Sequence, residues 1–519
     1  MLLRENLLLL YQINNSIFMK IFYITTPIYY VNARPHLGSA YTTIAADVLA
    51  RFHRMKGEEV FFLAGTDEHG AKVAETALKE KMDPQELCNQ NSAKYQEAWD
   101  TLKISYNNFI RTTDSEHKEM VIQVLKKLND KKLIYKGVYQ GLYCVGCERY
   151  YTPKELINGE CPIHRKKAIS LSEDCYFFKL SIFREKLLKL IREDELIIEP
   201  LERKNEILGF LELNELEDLA ISRANVKWGI PLPWDQDQTI YVWVDALLNY
   251  LSGIGWKGQL NKIPKQWPPE IQLLGKDILR FHAVIWPALL LALKMPLPHR
   301  LYVHGFFTIN GQKMGKSAGN TIDPEEMARV FGVDALRWMT LSSFPFGHDG
   351  DISQSKFYDK YNSDLSNGLG NLLRRVLSLA EKAKEDFQPP AKPEHNFHDF
   401  VENVWQDYEH LLEELKFANV STLINSLVAF CDRYVNENEP WKLFKDDFNQ
   451  YKNVIYNLLE SLRHIAWMVR PFMPDKSDEI LRGLSLGASE KNKTLIVGKK
   501  WGQTSFGKIS QGKILFPRL

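Results

Sequence analysis

Short apolar runs alternate with amphipathic stretches through the first third of the chain. Residues 22–27 form a β-branched and aromatic run, and the apolar run 60–64 ends in the polar turn 65–70. Between them, apolar residues recur at the spacing of one helix face, at Ile44, Val48, Leu49, Phe52 and Met55. Strand-like runs separated by stretches of helical period are typical of a parallel sheet covered by helices. We therefore expect an α/β domain from about residue 19 to 135.

The hydrophobic pattern changes twice further along the chain. Strand-like runs resume at residues 239–243 and 271–274, so we expect the sheet to be interrupted by an insertion and then completed. Beyond the proline-rich segment 389–393, apolar residues return at helical spacing, at Val401, Val404, Trp405, Tyr408, Leu411, Leu412 and Leu415. This last pattern predicts a helix bundle.

The composition is that of a large globular protein. A chain of 519 residues with 45% hydrophobic residues is too long for one compact core. Because 66 basic residues nearly cancel 65 acidic ones, a nucleic-acid partner would have to be held by local basic and aromatic patches. Six cysteines argue against a disulfide framework at this length. No apolar stretch approaches the roughly 20 residues that cross a bilayer, so we expect no membrane partner.

The first 18 residues hold too short an apolar run for a secretory signal. We interpret them as a leader that is disordered or not native, with Met19 as the functional start. A cytoplasmic location is expected, and an organellar presequence is the alternative.

The tetrapeptide His36-Leu37-Gly38-Ser39 stands between the first predicted strand and the first predicted helix. Gly38 has no Cβ, so the chain can lie close to a flat base or ribose. The helix start offers unpaired N–H groups and a positive dipole end to a phosphate. Taken alone, the motif is better explained as a capped surface turn that holds a chance histidine.

A second candidate phosphate site is the loop Lys313-Met314-Gly315-Lys316-Ser317. Two ammonium groups together with Ser317 can neutralise the charge that develops during nucleotidyl transfer. A loop with two lysines is usually only solvated surface. Either motif alone is therefore a weak signal for a nucleotide site.

The strongest metal signal is Cys144-Val145-Gly146-Cys147, followed after thirteen residues by Cys161-Pro162-Ile163-His164. Three thiolates and one imidazole in two turns are the layout of a structural zinc site. Four protein ligands leave no position for a substrate, so we expect one Zn²⁺ that folds a small lobe. A site that binds iron or has lost its metal is the alternative. The isolated Cys88, Cys175 and Cys431 are interpreted as free thiols.

Polar residues follow the predicted strands where parallel sheets bind their ligands. Asp67 and His69 are candidates to hold a nucleotide or an amino acid, although an acidic turn that caps the next helix would look the same. Residues 241–250 and 275–282 combine aromatic and polar side chains, as in a pocket for a small apolar amino acid. Asp245 or Asp277 could pair with an α-ammonium group.

Aromatic side chains in this region suit one kind of apolar ligand. Tyr30, Trp243 and Tyr250 could surround a thioether, because sulfur–aromatic contacts are favourable. From composition alone, an ordinary core is the better explanation for Trp243 and Tyr250.

From Met19 to the C-terminus the chain resembles the methionyl-tRNA synthetases of the bacterial type, which are class I aminoacyl-tRNA synthetases with a single zinc knuckle. The two nucleotide motifs are similar to the ATP-binding signatures of that class. Further landmarks occur in the same order in this chain: residues 25–32, 65–70, the Cys3His knuckle, 221–223, 228–231, 275–282, the lysine loop and 334–337.

The resemblance implies roles for individual residues. It assigns ATP binding to His36, Gly38, Ser39, Lys313, Lys316 and Ser317, with His36, Lys313 and Lys316 catalytic. It places methionine among Ile28, Tyr30, Asp67, Trp243, Ala246, Tyr250, Asp277 and His282, with Asp67 on the ammonium group. Arg223 and His69 would organise the site, Asp277 would assist Arg223, and Asn371, Arg375 and Trp441 would read the anticodon. The zinc ligands would be Cys144, Cys147, Cys161 and His164.

Two positions depart from the family pattern. A second histidine is common where Ser39 stands, and a serine is common where Gly315 stands. Serine can donate one hydrogen bond but carries no charge, so we expect reduced or redistributed contacts with ATP and an enzyme that remains active.

The resemblance also implies a domain order. A Rossmann-type catalytic domain would occupy residues 19–135 and 229–310, interrupted by a zinc-knuckle insert at 136–228. A lysine-loop and stem-contact region would occupy 311–363, and a helical anticodon-binding domain would occupy 364–519. An appended C-terminal domain often supports dimers in this family, and because the chain stops at Leu519 we expect a monomer.

The expected activity is methionine–tRNA ligation. The chain would activate L-methionine with Mg²⁺-ATP and transfer the methionyl group to tRNA(Met). One alternative is another class I synthetase for a small apolar or sulfur amino acid, but the enzymes for branched side chains need a large editing insertion for which the chain has no room. The second alternative is a non-catalytic RNA-binding relative.

Overall fold

The structure, a computed structural model, describes residues 21–144, 149–151, 156–162, 165–309, 311–314, 320–390, 395–510 and 512–519. Its strands are, in chain order, β1 (Ile21–Thr25), β2 (Tyr29–Tyr30), β3 (Glu59–Asp67), β4 (Asn108–Arg111), β5 (Ile134–Cys144), β6 (Arg149–Tyr151), β7 (Ile169–Phe178), β8 (Ile197–Glu199), β9 (Leu219–Ala220), β10 (Ser222–Arg223), β11 (Pro231–Leu232), β12 (Asp235–Ile240), β13 (Ile271–Gly275), β14 (Arg300–His304), β15 (Phe307–Ile309), β16 (Gln312–Lys313) and β17 (Gly350–Asp351).

The α-helices up to the lysine loop span Leu37–Lys56, Ala71–Glu80, Pro84–Thr101, Ser115–Asp130, Arg184–Arg192, Leu201–Leu213, Val242–Leu247, Asn249–Ser252 and Trp286–Leu293. Those after it span Pro324–Phe331, Val333–Ser342, Gln354–Lys360, Asn371–Ala383, His395–Glu413, Phe417–Asn438, Pro440–Asp446, Phe448–Val469, Pro474–Gly483, Ala488–Lys491 and Leu495–Gly498. Wider π-helical turns occupy Phe281–Ile285 and Tyr361–Gly370.

The central sheet is parallel, as the sequence predicts. Strands β4, β3, β1, β13, β14 and β8 pair side by side in that order, and β2 pairs with β3 beyond the end of β1. The chain builds outward from β1 in one direction with β3 and β4, and in the other with β13 and β14. Ligands of such sheets bind where the order reverses, at the carboxyl ends of the central strands. Here these are the ends of β1 and β13.

The expectation for residues 239–243 is wrong in part. Strand β12 stops at Ile240 and pairs with β10 and β11 in a separate antiparallel sheet, while Val242–Leu247 is helical. The buried apolar run that covers residues 239–243 has no periodicity that would distinguish a strand from a helix. The run at 271–274 does complete the parallel sheet, as β13.

The inserted segment forms a long antiparallel ribbon. Strand β5 pairs with β7 along its length and with β6 at its end, where Cys144 lies opposite Arg149. Strand β8, within the segment 136–228 expected as the insert, pairs in parallel with β14 at the edge of the central sheet. The chain thus returns to the central sheet once before the insert ends.

The C-terminal third is a helix bundle, as predicted. Helix Phe448–Val469 is buried along most of its length, and the bundle shares one hydrophobic core with the first helix, Leu37–Lys56. That sharing explains why the first helix is buried nearly all round, although a helix on one face of a sheet normally leaves a side to water. Within the described ranges, no helix combines the length and apolar character needed to span a membrane.

Candidate active site

The predicted ligand-binding residues gather at the carboxyl ends of the central strands. Tyr30 in β2 lies beside Asp67, the last residue of β3, in the register of the two strands. Asp67 is 4% exposed. Asp277 and His282 follow directly from the end of β13. Residues more than two hundred positions apart thus share one edge of the sheet.

His36 caps the first helix with its own side chain. Its Nδ1 accepts a hydrogen bond from the Gly38 N–H at 3.0 Å, which makes the neutral ring carry its proton on Nε2. The Ser39 hydroxyl donates to the His36 carbonyl at 2.7 Å and accepts from the His36 N–H at 3.1 Å. Ser39, expected to contact ATP, therefore uses its hydroxyl in a capping box that holds His36.

Gly38 lies where no side chain fits without displacing its neighbours. A Cβ there would approach His36 Cε1 to 2.9 Å and Met314 Cε to 3.2 Å. Met314, in the middle of the lysine loop, is 5% exposed. The two nucleotide motifs are therefore in contact, and Gly38 serves the packing between them.

The lysine loop begins in a small sheet that lies beside the first helix. Strands β15 and β16 form an antiparallel hairpin, with Thr308 opposite Lys313. The chain then returns so that the Leu37 N–H donates to the Ile322 carbonyl at 2.9 Å. Lys313 is described only in its backbone, and Lys316, Ser317 and Gly315 lie outside the described residues.

Tyr250 and His282 form a buried pair at the floor of the predicted amino-acid pocket. The Tyr250 hydroxyl lies 2.8 Å from His282 Nε2, and His282 Nδ1 lies 3.0 Å from the Ile278 carbonyl. Burial lowers the pKa of His282 to about 4, so the ring is neutral near neutral pH. Nδ1–H then donates to Ile278, and Nε2 accepts from Tyr250.

The other residues predicted to contact the amino acid are aromatic or small. The Trp243 ring stacks on Phe281 with centroids 3.7 Å apart, next to His282 in sequence. Ala246 is buried one helical turn from Trp243. Ile28 packs against Gly65 in β3, where a Cβ would meet Ile28 Cγ2 at 2.9 Å.

A buried hydrogen-bonded cluster of two histidines and one aspartate was missed by the sequence interpretation. His69 Nδ1 and His117 Nε2 each lie 2.7 Å from a different oxygen of Asp245. Burial alone would raise the pKa of Asp245, but the attraction of His69 and the hydrogen bond from His117 lower it to about 2. Asp245 therefore holds His69 in place. Because both of its oxygens are hydrogen-bonded within the protein, Asp245 is not the partner of the α-ammonium group that the sequence suggested. The only signal for His117 was its position on the apolar face of helix Ser115–Asp130.

Arg223 joins the insert to the catalytic site. Its guanidinium lies 4.1 Å from the centre of the Tyr241 ring and donates to the Ser222 carbonyl at 2.7 Å. The side chain is 5% exposed. Buried stacking and hydrogen bonding hold this arginine in one orientation.

Two of the four predicted zinc ligands are described. Cys144 ends β5 and Cys161 lies after β6, and both are buried in one cluster with Tyr151, against which Leu156 packs. The Arg165 N–H donates to the Cys161 carbonyl and the Cys161 N–H donates to the Lys166 carbonyl, so the backbone folds tightly around this residue. Cys147 and His164 lie outside the described residues.

The predicted anticodon residues line one pocket of about 330 Å³ in the helical domain. Asn371, Arg375 and Trp441 meet there with Arg374, Ser378 and Leu379. Arg375 donates to Asn436 Oδ1 at 2.6 Å and lies 5.9 Å from the centre of the Trp441 ring. Trp441 is 42% exposed, so an aromatic face is available beside an oriented arginine.

Comparison with known proteins identifies the family. Residues 22–170 and 147–377 match the family of class I tRNA synthetases (M), and residues 388–500 match the anticodon binding domain of methionyl tRNA ligase. The methionine–tRNA ligase of Caldanaerobacter subterraneus subsp. tengcongensis is 41% identical over 96% of this chain and 79% of its own length. That of Streptomyces coelicolor is also 41% identical, over 96% of this chain and 97% of its own.

Solved structures give the same result. Mycobacterium tuberculosis methionyl-tRNA synthetase in complex with methionyl-adenylate superimposes with a TM-score of 0.91 at 33% identity, covering 96% of this chain and 100% of that one. Both the catalytic half and the helical half are included in the match. The chain belongs to the methionyl-tRNA synthetase family of class I aminoacyl-tRNA synthetases.

Proposed function

We propose that this protein is a methionine–tRNA ligase, which forms methionyl-adenylate from L-methionine and ATP and transfers the methionyl group to tRNA(Met). The observation that carries the proposal is the packing of Met314 against Gly38. It brings Met314 of the lysine loop to the start of the first helix. A nucleotide and an amino acid can thus be held side by side.

The pocket suits an uncharged side chain of low polarity. His282 and Tyr250 satisfy each other and present no charge, while Trp243 and Phe281 form a stacked aromatic wall. A thioether packs well against aromatic rings, and Asp67 at the pocket edge would bind the α-ammonium group. A charged side chain would be left without a counter-charge, and this cost discriminates against it.

The reaction needs positioning more than acid–base chemistry. The methionine carboxylate is already a nucleophile and attacks the α-phosphate, and pyrophosphate leaves. His36 offers its Nε2–H, and Lys313 and Lys316 are proposed to approach the same phosphates as negative charge develops. Mg²⁺ bound to ATP supplies further charge neutralisation. The terminal ribose hydroxyl of the tRNA then takes the methionyl group.

The first test is ATP–pyrophosphate exchange by the chain from Met19, with methionine compared with leucine, isoleucine, valine and cysteine. We expect exchange with methionine alone. Exchange with another of these amino acids would indicate a different class I synthetase. Absence of exchange together with retained tRNA binding would favour a non-catalytic RNA-binding protein.

Replacement of one lysine tests the assignment of the loop. Lys316→Ala should lower exchange by about a hundredfold or more and leave methionine binding, measured by calorimetry, nearly unchanged. Lys445→Ala, at an exposed position of the helical domain, is the matched control and should behave as the original protein. An equal loss of methionine binding in Lys316→Ala would exclude a role confined to ATP.

We also propose that the insert holds one structural Zn²⁺ through Cys144, Cys147, Cys161 and His164. The chemistry of the donors and the burial of Cys144 and Cys161 in one cluster support it. Metal analysis should give one zinc per chain, and Cys144→Ser should lose it. Cys175→Ala removes a buried thiol from the same ribbon and should retain the metal. Iron in place of zinc would contradict the assignment.

A further inference from the structure

Glu68 stands in the sequence between two residues of the candidate site, Asp67 and His69, and is fully buried. Its carboxylate pairs with Arg111 through two hydrogen bonds. Arg111 Nε donates to Oε1 at 2.8 Å, and Arg111 Nη2 donates to Oε2 at 2.9 Å. A bidentate pair of this kind is strong and fixes the orientation of both groups.

Two threonines complete the hydrogen bonds of the Glu68 carboxylate. The Thr66 hydroxyl donates to Oε1 at 2.7 Å, and the Thr113 hydroxyl donates to Oε2. A carboxylate has about four positions for accepted hydrogen bonds, and with the arginine pair included the protein fills all of them. Glu68 therefore has no acceptor position left for a ligand, and a role in the reaction has to act through its neighbours.

The backbone of Glu68 is hydrogen-bonded as completely as its side chain. Its N–H donates to the Thr112 hydroxyl at 2.9 Å. Its carbonyl accepts from the indole N–H of Trp228 at 2.6 Å and from the thiol of Cys88 at 3.3 Å. Thr112 directly follows β4, and Cys88 lies in helix Pro84–Thr101. The end of β3, the end of β4 and a helix are thus joined at one glutamate.

This anchoring determines the direction in which the Asp67 side chain points. Asp67 is the last residue of β3, and successive side chains of a strand point to opposite faces. The side chains of Thr66 and Glu68 are bonded to each other on one face, so Asp67 projects from the other, beside Tyr30 of β2. A rotation of the chain at Glu68 would turn the Asp67 carboxylate away from this position.

We propose that Glu68, held by Arg111, is a positioning residue that directs the Asp67 carboxylate toward the α-ammonium group of methionine. The inference rests on the proposed function, because it uses the assignment of Asp67 to that group. A charge-assisted hydrogen bond depends on distance and direction, whereas apolar contacts are non-directional. A loosened Glu68 should therefore weaken the binding of the amino group and leave the contacts of the methionine side chain unchanged.

Arg111→Lys tests the pair without a change in charge. Lysine keeps one positive charge near Glu68 but lacks the planar fork that binds both carboxylate oxygens. We expect the KM for methionine in pyrophosphate exchange to rise about tenfold, with kcat and the KM for ATP within about twofold of the original protein. Arg192→Lys, in an exposed pair with Glu212 at 2.6 Å, is the matched control and should leave these values unchanged.

A ligand without the amino group distinguishes positioning from a general loss of structure. The desamino analogue of methionine keeps the side chain and the carboxylate, and its Ki as a competitor of methionine in exchange measures its affinity. Arg111→Lys should weaken methionine about tenfold and this analogue by less than about twofold. Equal weakening of both ligands, or unchanged methionine binding, would overturn the proposal. Equal affinity of the original protein for both ligands would also overturn it, because Asp67 would then have no ammonium group to bind.

Thr113→Val is the second variant, because it removes one hydrogen bond to Glu68 and keeps the arginine pair. It should weaken methionine about threefold or more and leave the desamino analogue nearly unchanged. If circular dichroism shows that Arg111→Lys does not fold, Thr113→Val decides the question by the same two ligands, and equal weakening of both would again overturn the proposal. Failure of the proposed function is distinguishable, since the original protein would then show no methionine-dependent exchange at all.

Discussion

His36 closes the first turn of helix Leu37–Lys56 with its own ring, and this makes its orientation depend on two small neighbours. Ser39 engages both the N–H and the carbonyl of His36, while Gly38 leaves room for the imidazole and for Met314. The serine that departs from the family pattern therefore has a clear structural use. It orders the adjacent histidine instead of adding a charge to the site.

Gly38→Ala should lower the activity without lowering the stability of the protein. The added Cβ would press on the His36 ring and Met314, and displacement of a substrate-positioning group by about 1 Å can cost roughly a hundredfold in rate. Alanine is also a better helix former than glycine by about 0.5–1 kcal/mol. We expect kcat/KM for ATP in exchange to fall by about 10–100-fold while the Tm is not lowered. Gly209→Ala, a helical glycine with open space around it, should keep full activity. A fall in Tm for Gly38→Ala would contradict this.

Asp245→Asn should weaken methionine activation through His69. An amide can accept from one histidine but presents N–H groups to the other, so one of two buried hydrogen bonds is lost. Losing a buried hydrogen bond to a charged group costs about 1.5–3 kcal/mol, which corresponds to roughly 10–100-fold in kcat/KM for methionine. Circular dichroism should show an unchanged fold. Asp237→Asn, at an exposed strand position, serves as the control, and equal activities of the two variants would exclude the role of Asp245.

At the scale of elements, helix Phe448–Val469 is organised around a buried ion cluster. Arg463 donates to both oxygens of Glu460 and to Glu490 at 2.9 Å, and it also binds the carbonyls of Gly498 and Lys500. His464 Nδ1 accepts the indole N–H of Trp405 at 2.7 Å. This cluster fastens the segment after Gly487 to the centre of the bundle.

Glu460→Gln should destabilise the protein in a pH-dependent way. Burial alone would raise the pKa of Glu460, but hydrogen bonds from His464 and Arg463 lower it to about 2. Its unfolded pKa is near 4.5, so the stabilisation is fully present above that pH and is lost as the pH falls toward 2. We expect a loss of about 3–5 kcal/mol near neutral pH that shrinks below about pH 4. Urea denaturation across pH measures it, with exposed Glu437→Gln as the control. A loss independent of pH would show that packing, not charge, is responsible.

At the scale of the whole molecule, Leu37 at the start of the first helix and Leu379 at the pocket of the helical domain belong to one hydrophobic core. The proposed ATP and methionine site lies at the carboxyl ends of β1 and β13, and the pocket of Trp441 and Arg375 lies in the helical domain. Amino-acid activation needs only the first site, whereas aminoacylation needs both. Variants at the second site should therefore separate the two reactions.

Trp441→Ala should lower aminoacylation and spare activation. Stacking of a base on an aromatic ring contributes about 1–3 kcal/mol, so kcat/KM for tRNA should fall roughly 10–100-fold. Exchange measured without tRNA should stay within about twofold, because the pocket takes no part in adenylate formation. Ile496→Ala, an exposed apolar position on the same domain, should affect neither reaction. Parallel loss of both activities would argue that Trp441 is structural.

The sequence by itself determined most of the central elements and supplied most residues of the candidate site as predictions. Alternating apolar runs predicted β1, β3 and β13, and helical periodicity predicted the bundle, because these patterns depend on which face of an element is buried. The two nucleotide motifs and the Cys–Cys–Cys–His spacing were readable because their residues are close together in sequence. The family followed from the order of these landmarks.

Only the tertiary structure decided which distant residues meet. The pairing of Asp245 with His69 and His117, the contact of Arg337 with Asp47 and the return of β8 to the central sheet all join segments far apart in the chain. No local pattern in the sequence predicts such contacts, because a buried polar residue has the same hydrophobic neighbours in sequence whichever distant residue it bonds to. Strand β12 and the helix after it illustrate the same limit, because a short apolar run suits either conformation until packing selects one.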